Sequence, residues 1–209
     1  MSSGRAVLSL TLALTLAAAA FAQAPAPKPA PRPPKPPPAK EPAVAPGTEA
    51  VVETPKGSFT IRLLPDVAPK HAALFVKTAK AGGYDGTTFH RIIAGGVIQG
   101  GDPLSKDPAK AALYGTGGLG LLPAEFSDRP FVRGIVAAAR KLSSPDSGGK
   151  QFFVCLREQP SLKGQFTIFG EVVSGMDVVD QISTTPVEGD KAKERVEMKV
   201  TVKEPPAAP

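Results

Sequence analysis

Apolar and polar side chains alternate along residues 58–64, where Phe59, Ile61 and Leu63 lie between polar neighbours. This period of two is typical of a half-buried β-strand. The same alternation over residues 194–202 predicts a last strand. Shorter apolar runs bounded by glycine and proline predict six further strands, at residues 50–54, 88–93, 97–99, 134–140, 151–156 and 166–172.

Two segments have helical rather than alternating patterns. The first is predicted to begin at Asp66 or Pro69 and to end near Ala81, and the second covers residues 176–182. Residues 105–122 are rich in glycine, proline, lysine and aspartate and predict a loop. Many short strands with glycine turns and two helices indicate a mainly β fold, closed into an antiparallel barrel.

The amino terminus has a different composition from the rest of the chain. After Arg5, residues 6–21 carry no charge, and residues 20–22 fit the small-x-small pattern of a cleavage site. We interpret residues 1–24 as a cleaved secretory signal peptide. The apolar run is about 16 residues long, and a membrane span needs about 20. We therefore expect export, to the periplasm or out of the cell, with no membrane span after cleavage.

Residues 25–46 contain 11 prolines among 22 residues, interleaved with alanine and lysine. Such a segment cannot bury a core and predicts an extended polyproline-II tether. It could be a spacer, a ligand for an aromatic-lined groove, or a basic arm that touches an anionic surface. The remaining chain is then one domain over residues 47–203 with a disordered tail at 204–209.

The net charge of the whole chain is +6, but most of this charge lies outside the predicted domain. The predicted tether holds four basic residues and one glutamate, and Arg5 leaves with the signal, so the domain carries about +2. Aromatic residues are not interleaved with basic ones, which argues against nucleic-acid binding. One cysteine and two histidines exclude an intrachain disulfide, a cysteine-based zinc site and a multi-histidine metal site. We find no oligomerisation signal and expect a monomer.

Four segments carry the candidate chemistry, and they are residues 89–102 (Phe-His-Arg-Ile-Ile-Ala-Gly-Gly-Val-Ile-Gln-Gly-Gly-Asp), 134–140, 148–154 and 162–170. In this order they resemble the cyclophilins, which are peptidyl-prolyl cis-trans isomerases, and the resemblance extends over about residues 47–202. It implies a closed eight-stranded antiparallel β-barrel capped by two helices. It also implies an enzyme without cofactor or metal that acts on X–Pro bonds of unfolded or flexible polypeptides.

Isomerisation makes and breaks no bond, so it needs no nucleophile, base or metal. Resonance holds the amide planar against a barrier of about 18–20 kcal/mol. A donor aimed at the prolyl nitrogen stabilises the twisted amide and hardly affects the planar one, which is the differential binding that catalysis requires. Arg91 is the only strong candidate for this donor in the strand motif.

The resemblance assigns a role to each matching residue. Arg91 matches the catalytic arginine, Gln99 the glutamine that hydrogen-bonds the substrate backbone, and Phe153 a wall of the proline pocket. The matching substrate-binding residues are Gly96, Val97, Gly115, Ala139, Arg140, Gln151, Leu162 and Phe166. Among these, Ala139 and Arg140 match the positions where the family grips the peptide backbone before proline.

Four positions depart from the best-studied members of the family. Gly96 replaces a phenylalanine, Val97 a methionine, Ser161 a tryptophan and Phe166 a histidine. Loss of one buried phenylalanine contact would weaken proline binding by about 1–3 kcal/mol. The missing tryptophan implies weak binding of cyclosporin, the family's inhibitor. An alternative function is therefore a cyclophilin-shaped chaperone or scaffold that binds peptides with little isomerase activity.

Three reactive side chains have simple structural interpretations. Alternation along the strand turns His90 away from the face of Arg91, so we expect a hydrogen-bonded structural histidine. We expect His71 to be solvated in the first turns of its helix. Cys155 is expected to be a small buried residue.

Overall fold

The computed structural model describes residues 43–205. The predicted signal peptide, most of the predicted tether and residues 206–209 lie outside the described residues. The strands are β1 (Glu49–Thr54), β2 (Gly57–Leu63), β3 (Thr87–Ile93), β4 (Val97–Gly100), β5 (Ile135–Ala138), β6 (Phe152–Cys155), β7 (Ile168–Ser174), β8 (Val187–Glu188), β9 (Lys191–Ala192) and β10 (Glu197–Lys203). The α-helices are α1 (Pro69–Lys80) and α2 (Met176–Ser183), and short 3₁₀ segments cover Pro103–Lys106, Pro108–Leu113 and Pro160–Leu162. Within residues 43–205, neither helix has the length and apolar character that a bilayer span requires.

Eight strands form a closed antiparallel barrel in the order β10-β1-β2-β7-β5-β6-β4-β3. The barrel closes where Glu197 and Met198 of β10 pair with Thr88 and Thr87 of β3. Closure removes the free sheet edges that would otherwise present unpaired backbone groups. The predicted eight-stranded barrel with two helices is thereby confirmed.

A small hairpin of β8 and β9 joins the barrel at Arg91, which pairs with Lys191. The sequence pattern did not predict this hairpin. Each of its strands is two residues long and its side chains are mostly exposed, so it has no apolar periodicity to detect.

The alternate residues of β2 lie in the interior of the barrel. Phe59, Ile61 and Leu63 are each at most 1% exposed, as the pattern predicts. An aromatic cluster joins α1 to the barrel, because the Phe75 ring lies 5.3 Å from the Phe169 ring and 5.6 Å from the Phe152 ring. These ring contacts hold helix α1 against the barrel.

Helix α1 begins at Pro69. Proline suits this position because a backbone N–H in the first turn has no partner within the helix, so its absence costs no hydrogen bond. The carboxylate of Glu125 accepts hydrogen bonds from the backbone N–H groups of Lys70 and His71, at 3.1 and 3.0 Å. The same carboxylate lies 2.6 Å from Nδ1 of His71. His71 is only 3% exposed, so the expectation that it is solvated is wrong. Its partner is 54 residues away along the chain and has no local signature.

The packed part of the chain extends slightly beyond the limits expected from composition. Val44 packs against the barrel core, and Thr48 donates a hydrogen bond from its hydroxyl to the carbonyl of Ala45. At the other end, Glu204 forms an ion pair with Lys80. Residues just outside 47–203 therefore make tertiary contacts.

Candidate active site

A cavity of about 480 Å³ opens beside β3, β4, β6 and the segment that follows β5, and we call it the groove. The predicted site residues that line it are Arg91, Gly96, Val97, Gln99, Gly115, Ala139, Arg140, Phe153, Leu162 and Phe166. Segments that are far apart in sequence are thus brought to one surface.

Strand register explains why the three residues assigned a catalytic role lie together. Arg91 on β3 is directly opposite Gln99 on β4, and Gln99 is directly opposite Phe153 on β6. Directly paired residues of antiparallel strands have their Cβ atoms about 4.5–5.5 Å apart. The barrel therefore sets an arginine, a glutamine and a phenylalanine in one row across three strands.

Hydrogen bonds hold this row in place. Nη1 of Arg91 donates to Oε1 of Gln99 at 3.3 Å, and Nε2 of Gln99 donates to Oε1 of Gln151 at 3.0 Å. Nε2 of Gln151 in turn donates to the carbonyl of Gly117 at 2.7 Å. Gln151 is completely buried and lies behind Gln99 rather than on the groove surface. It supports the site instead of lining it.

Asp190 completes the network from the other side. Its Oδ2 accepts a 2.6 Å hydrogen bond from Nε of Arg91. The hydrogen bond from Arg91 lowers the pKa of the Asp190 carboxyl, which is therefore ionised at neutral pH. A second cavity of about 420 Å³ lies on this side of Arg91, bordered by Asp190 and its hairpin neighbours. Asp190 was not among the residues predicted from the sequence, although the Gly-Asp-Lys stretch could have suggested a turn.

The floor and one wall of the groove are aromatic. The Phe153 and Phe166 rings meet edge to face, with their centroids 5.3 Å apart. The guanidinium carbon of Arg140 lies 4.8 Å from the centroid of the Phe166 ring, within the range of a cation–π interaction. Val97 and Leu162 pack into the same apolar cluster. This surface suits a small apolar ring such as that of proline.

The departures from the family pattern have different structural consequences. A Cβ atom on Gly96 would lie 2.9 Å from Cγ2 of Ile93, so a side chain at this position requires Ile93 to move. Ser161 is exposed and does not line the groove. Phe166 lines the groove with an aromatic ring, whereas Gly96 has no side chain to contribute.

His90 does not line the groove, but it borders the second cavity together with Arg91, so the expectation that alternation turns it away from Arg91 is wrong. The register between β3 and β4 shifts between Phe89 and Arg91, which interrupts the alternation at His90. Within residues 43–205, neither ring nitrogen of His90 has a hydrogen-bond partner of normal geometry, so the expected hydrogen bond is not found. The ring centroid of His90 lies 6.3 Å from that of Tyr114. Burial is the main cause that lowers its pKa, so the imidazole is neutral at physiological pH. Among the described residues, no group of three or more histidine, cysteine, aspartate or glutamate side chains is placed to hold a metal ion.

Several groove residues were not predicted from the sequence. They are Ile93, Tyr114, Thr116, Leu142, Arg157 and Gln159. Most of them lie in loops between strands, where no periodicity indicates which side chains turn toward the groove. Leu142 is 89% exposed.

Comparisons with known proteins agree with this geometry. The family model described as "Cyclophilin type peptidyl-prolyl cis-trans isomerase/CLD" matches residues 50–204. A "Probable peptidyl-prolyl cis-trans isomerase" of Brucella suis biovar 1 (strain 1330) is 44% identical over 142 residues, which cover 66% of this chain and 72% of the relative. A "Peptidyl-prolyl cis-trans isomerase" of Synechococcus elongatus is 40% identical over 125 residues, covering 59% of this chain and 79% of the relative.

Solved structures show the same fold. A Cryptosporidium parvum cyclophilin type peptidyl-prolyl cis-trans isomerase, solved in the presence of the dipeptide Ala-Pro, is 25% identical with a TM-score of 0.67. The match covers 75% of this chain and 99% of that structure. The cyclophilin AquaCyp293 from Hirschia baltica is also 25% identical, with a TM-score of 0.60 and coverage of 78% and 75%.

Proposed function

This chain belongs to the cyclophilin type peptidyl-prolyl cis-trans isomerase family, and we propose that it rotates X–Pro bonds in the groove beside Arg91. The observation that carries this proposal is the row formed by Arg91, Gln99 and Phe153 across three paired strands. An oriented cation at one end of the row faces an apolar floor at the other.

Arg91 is suited to stabilise the twisted amide. Its Nε and Nη1 each hold one protein partner, whereas Nη2 donates no hydrogen bond to residues 43–205. This nitrogen can donate to the prolyl nitrogen when rotation frees its lone pair. A rate enhancement of about 10⁴-fold corresponds to roughly 5–6 kcal/mol, which one charged donor and a well-held substrate can supply together.

The remaining residues would hold the substrate. The proline ring would lie on Phe153 between Val97 and Leu162, which form the apolar cluster. The side-chain amide of Gln99 gives one of its two N–H groups to Gln151, so the other is available for a substrate carbonyl. Family members bind proline-containing peptides, and a solved relative was crystallised in the presence of Ala-Pro.

A cyclophilin-shaped chaperone or scaffold that binds peptides with little turnover is the second candidate. Gly96 favours it, because the groove lacks an aromatic side chain at this position. Retention of Arg91 and its two hydrogen-bond partners opposes it. The two functions differ in turnover and not in binding.

The test is an NMR exchange measurement of isomerisation in a short X–Pro peptide. We expect catalysis by the purified protein and a loss of at least about 10²-fold in kcat/KM for Arg91→Ala. Arg62→Ala is the matched control, because Arg62 is also a half-exposed strand arginine, with 47% side-chain exposure against 42% for Arg91. Peptide binding by the folded protein without catalysis would support the scaffold function instead.

The cellular setting is part of the proposal. We propose that the protein is exported, acts as a monomer on unfolded or flexible polypeptides, binds no nucleic acid and binds cyclosporin weakly. Cys155 supports export, because burial raises the pKa of its thiol to about 12 and protects it in an oxidising compartment. Fractionation of cells with amino-terminal sequencing of the mature protein would test this. A mature protein that begins at Met1 in the cytoplasm would contradict it.

A further inference from the structure

The charged residues that line the groove all have the same sign. Among residues 43–205, three arginines, Arg91, Arg140 and Arg157, lie on its surface, and no aspartate or glutamate does. This is not a consequence of a generally basic domain, because the domain as a whole carries only about +2. The excess positive charge is therefore local to the groove.

In the part of the chain that the structure describes, only one of the three arginines is neutralised by a neighbouring carboxylate. Arg91 pairs with Asp190. Within residues 43–205, neither Arg140 nor Arg157 forms an ion pair, whereas cations elsewhere on the barrel do, such as Arg133 with Asp180 at 2.6 Å. Two guanidinium groups of the groove thus lack a carboxylate partner in the described protein.

Arg140 is held rigidly beside the proline pocket. Its Nε donates to the carbonyl of Gln165 at 2.8 Å and its Nη1 to the carbonyl of Lys141 at 3.0 Å. Its planar group lies over Phe166, and Phe166 packs on Phe153. One aromatic ring therefore separates this cation from the floor of the groove. Because the side chain is already ordered, pairing with a ligand costs little rotamer entropy.

The charged residues around Arg140 and Arg157 increase the positive potential at the groove more than they reduce it. Arg157 lies two residues after the end of β6, the strand that carries Phe153, and it is exposed. Lys141 is an exposed cation next to Arg140. Lys163 also lies near this rim and is paired with Asp128 at 3.5 Å. Glu158 is the nearest acidic residue in sequence, and it does not line the groove.

We propose that the groove selects X–Pro segments in which a carboxylate side chain, Glu or Asp, lies directly beside the proline. This inference rests on the proposed function, because it concerns the same groove. An exposed ion pair changes an equilibrium by about 1.5- to 5-fold. With Arg140 ordered in advance and Arg157 nearby, we expect an acidic peptide to be preferred by about threefold to tenfold at low salt.

The experiment compares peptides that differ by one charge only. Glu and Gln are nearly isosteric, so Glu–Pro is compared with Gln–Pro, and Pro–Glu with Pro–Gln, in one scaffold. NMR exchange gives kcat/KM for each peptide, and a shift titration of the labelled protein gives Kd. The Glu/Gln ratio is measured in 20 mM and 500 mM NaCl, because screening weakens exposed pairs. A ratio within one protein is insensitive to the amount of folded enzyme.

The variants Arg140→Gln and Arg157→Gln are expected to bring the ratio toward 1, and high salt should do the same. Lys199→Gln is the matched control, because it removes an equal charge from an exposed position that does not line the groove. A ratio near 1 for both peptide pairs, or a preference that survives both arginine substitutions, overturns the inference. If the protein binds but does not isomerise the peptides, the proposed function fails while the Kd ratio still decides this inference.

Discussion

Nε of Arg91 donates a 2.6 Å hydrogen bond to Oδ2 of Asp190, a residue 99 positions further along the chain. Asp190 follows Gly189 in the turn of the β8–β9 hairpin, and Gly189 has a positive φ of 64° that suits glycine in a tight turn. Arg91 lies between the groove and the second cavity. The carboxylate therefore restrains a side chain that otherwise has open space on two sides.

Substitution of Asp190 by alanine should lower kcat by about tenfold with little change in KM. The reason is that a catalytic group displaced by about 1 Å can cost up to about 10²-fold. Asp190→Asn should retain part of the activity, because its amide oxygen still accepts the hydrogen bond from Nε. Steady-state NMR exchange measurements on each variant would check this.

Two controls make the effect specific to Arg91. Glu188→Ala removes another carboxylate from the same hairpin and should leave kcat unchanged. In an Arg91→Ala background, Asp190→Ala should have no further effect, because Asp190 acts through the arginine. A rise in kcat on removal of Asp190 would mean that the carboxylate weakens the arginine by neutralising its charge.

We expect low pH to break the Arg91–Asp190 pair by protonating the carboxylate of Asp190. Arg91 lowers the pKa of Asp190 below its ordinary value of 3.8, chiefly through the side-chain hydrogen bond. The contribution of this pair to stability is then complete above pH 3.8 and is lost as the pH falls through the lower pKa of the folded protein. Carboxyl carbon shifts followed by NMR should give an Asp190 pKa below 3.8 in the native protein and a higher pKa in Arg91→Ala. Equal values in both proteins would refute the pairing in solution.

Removal of the buried glutamine behind the site should lower the stability of the protein. Gln151→Ala leaves Nε2 of Gln99 and the carbonyl of Gly117 without their partner in a buried region. Loss of buried hydrogen-bond partners costs about 1–3 kcal/mol, and we expect this reduction in the free energy of unfolding. Urea denaturation would measure it. The exposed helix residue Gln181 offers a control, because Gln181→Ala should change stability by less than about 0.5 kcal/mol.

Restoring the family's phenylalanine at position 96 should not by itself improve the enzyme. Even the Cβ atom of Gly96→Ala would approach Cγ2 of Ile93 to 2.9 Å and its carbonyl oxygen to 3.3 Å. Overpacking of this kind costs about 1–3 kcal/mol, and the cost should appear in thermal unfolding. Ile93→Ala removes Cγ2 and should recover part of that loss in the double variant. If Gly96→Ala alone is as stable as the unsubstituted protein, Ile93 moves aside without a cost in stability.

Local patterns along the chain were sufficient for most of the barrel strands. Alternation in residues 58–64 depends on one strand facing core and solvent in turn, and β2 has that burial. The segment from Phe89 to Asp102 predicts two short strands with Arg91 and Gln99 on them, and these strands are β3 and β4. Such features depend on near neighbours in sequence, which is why sequence reasoning reaches them.

The sequence alone therefore determined the strand pattern and named most of the residues for which we propose a chemical role. Only the tertiary structure decided what holds and surrounds them: Asp190 on Arg91, Glu125 on His71, and Gln151 beneath Gln99. The tertiary fold brings together residues that are 50 to 100 positions apart, and no local periodicity records such a pairing. The fold also decides which loop arginines face the groove without a carboxylate partner among residues 43–205, because the sequence alone does not show where a charged side chain will lie.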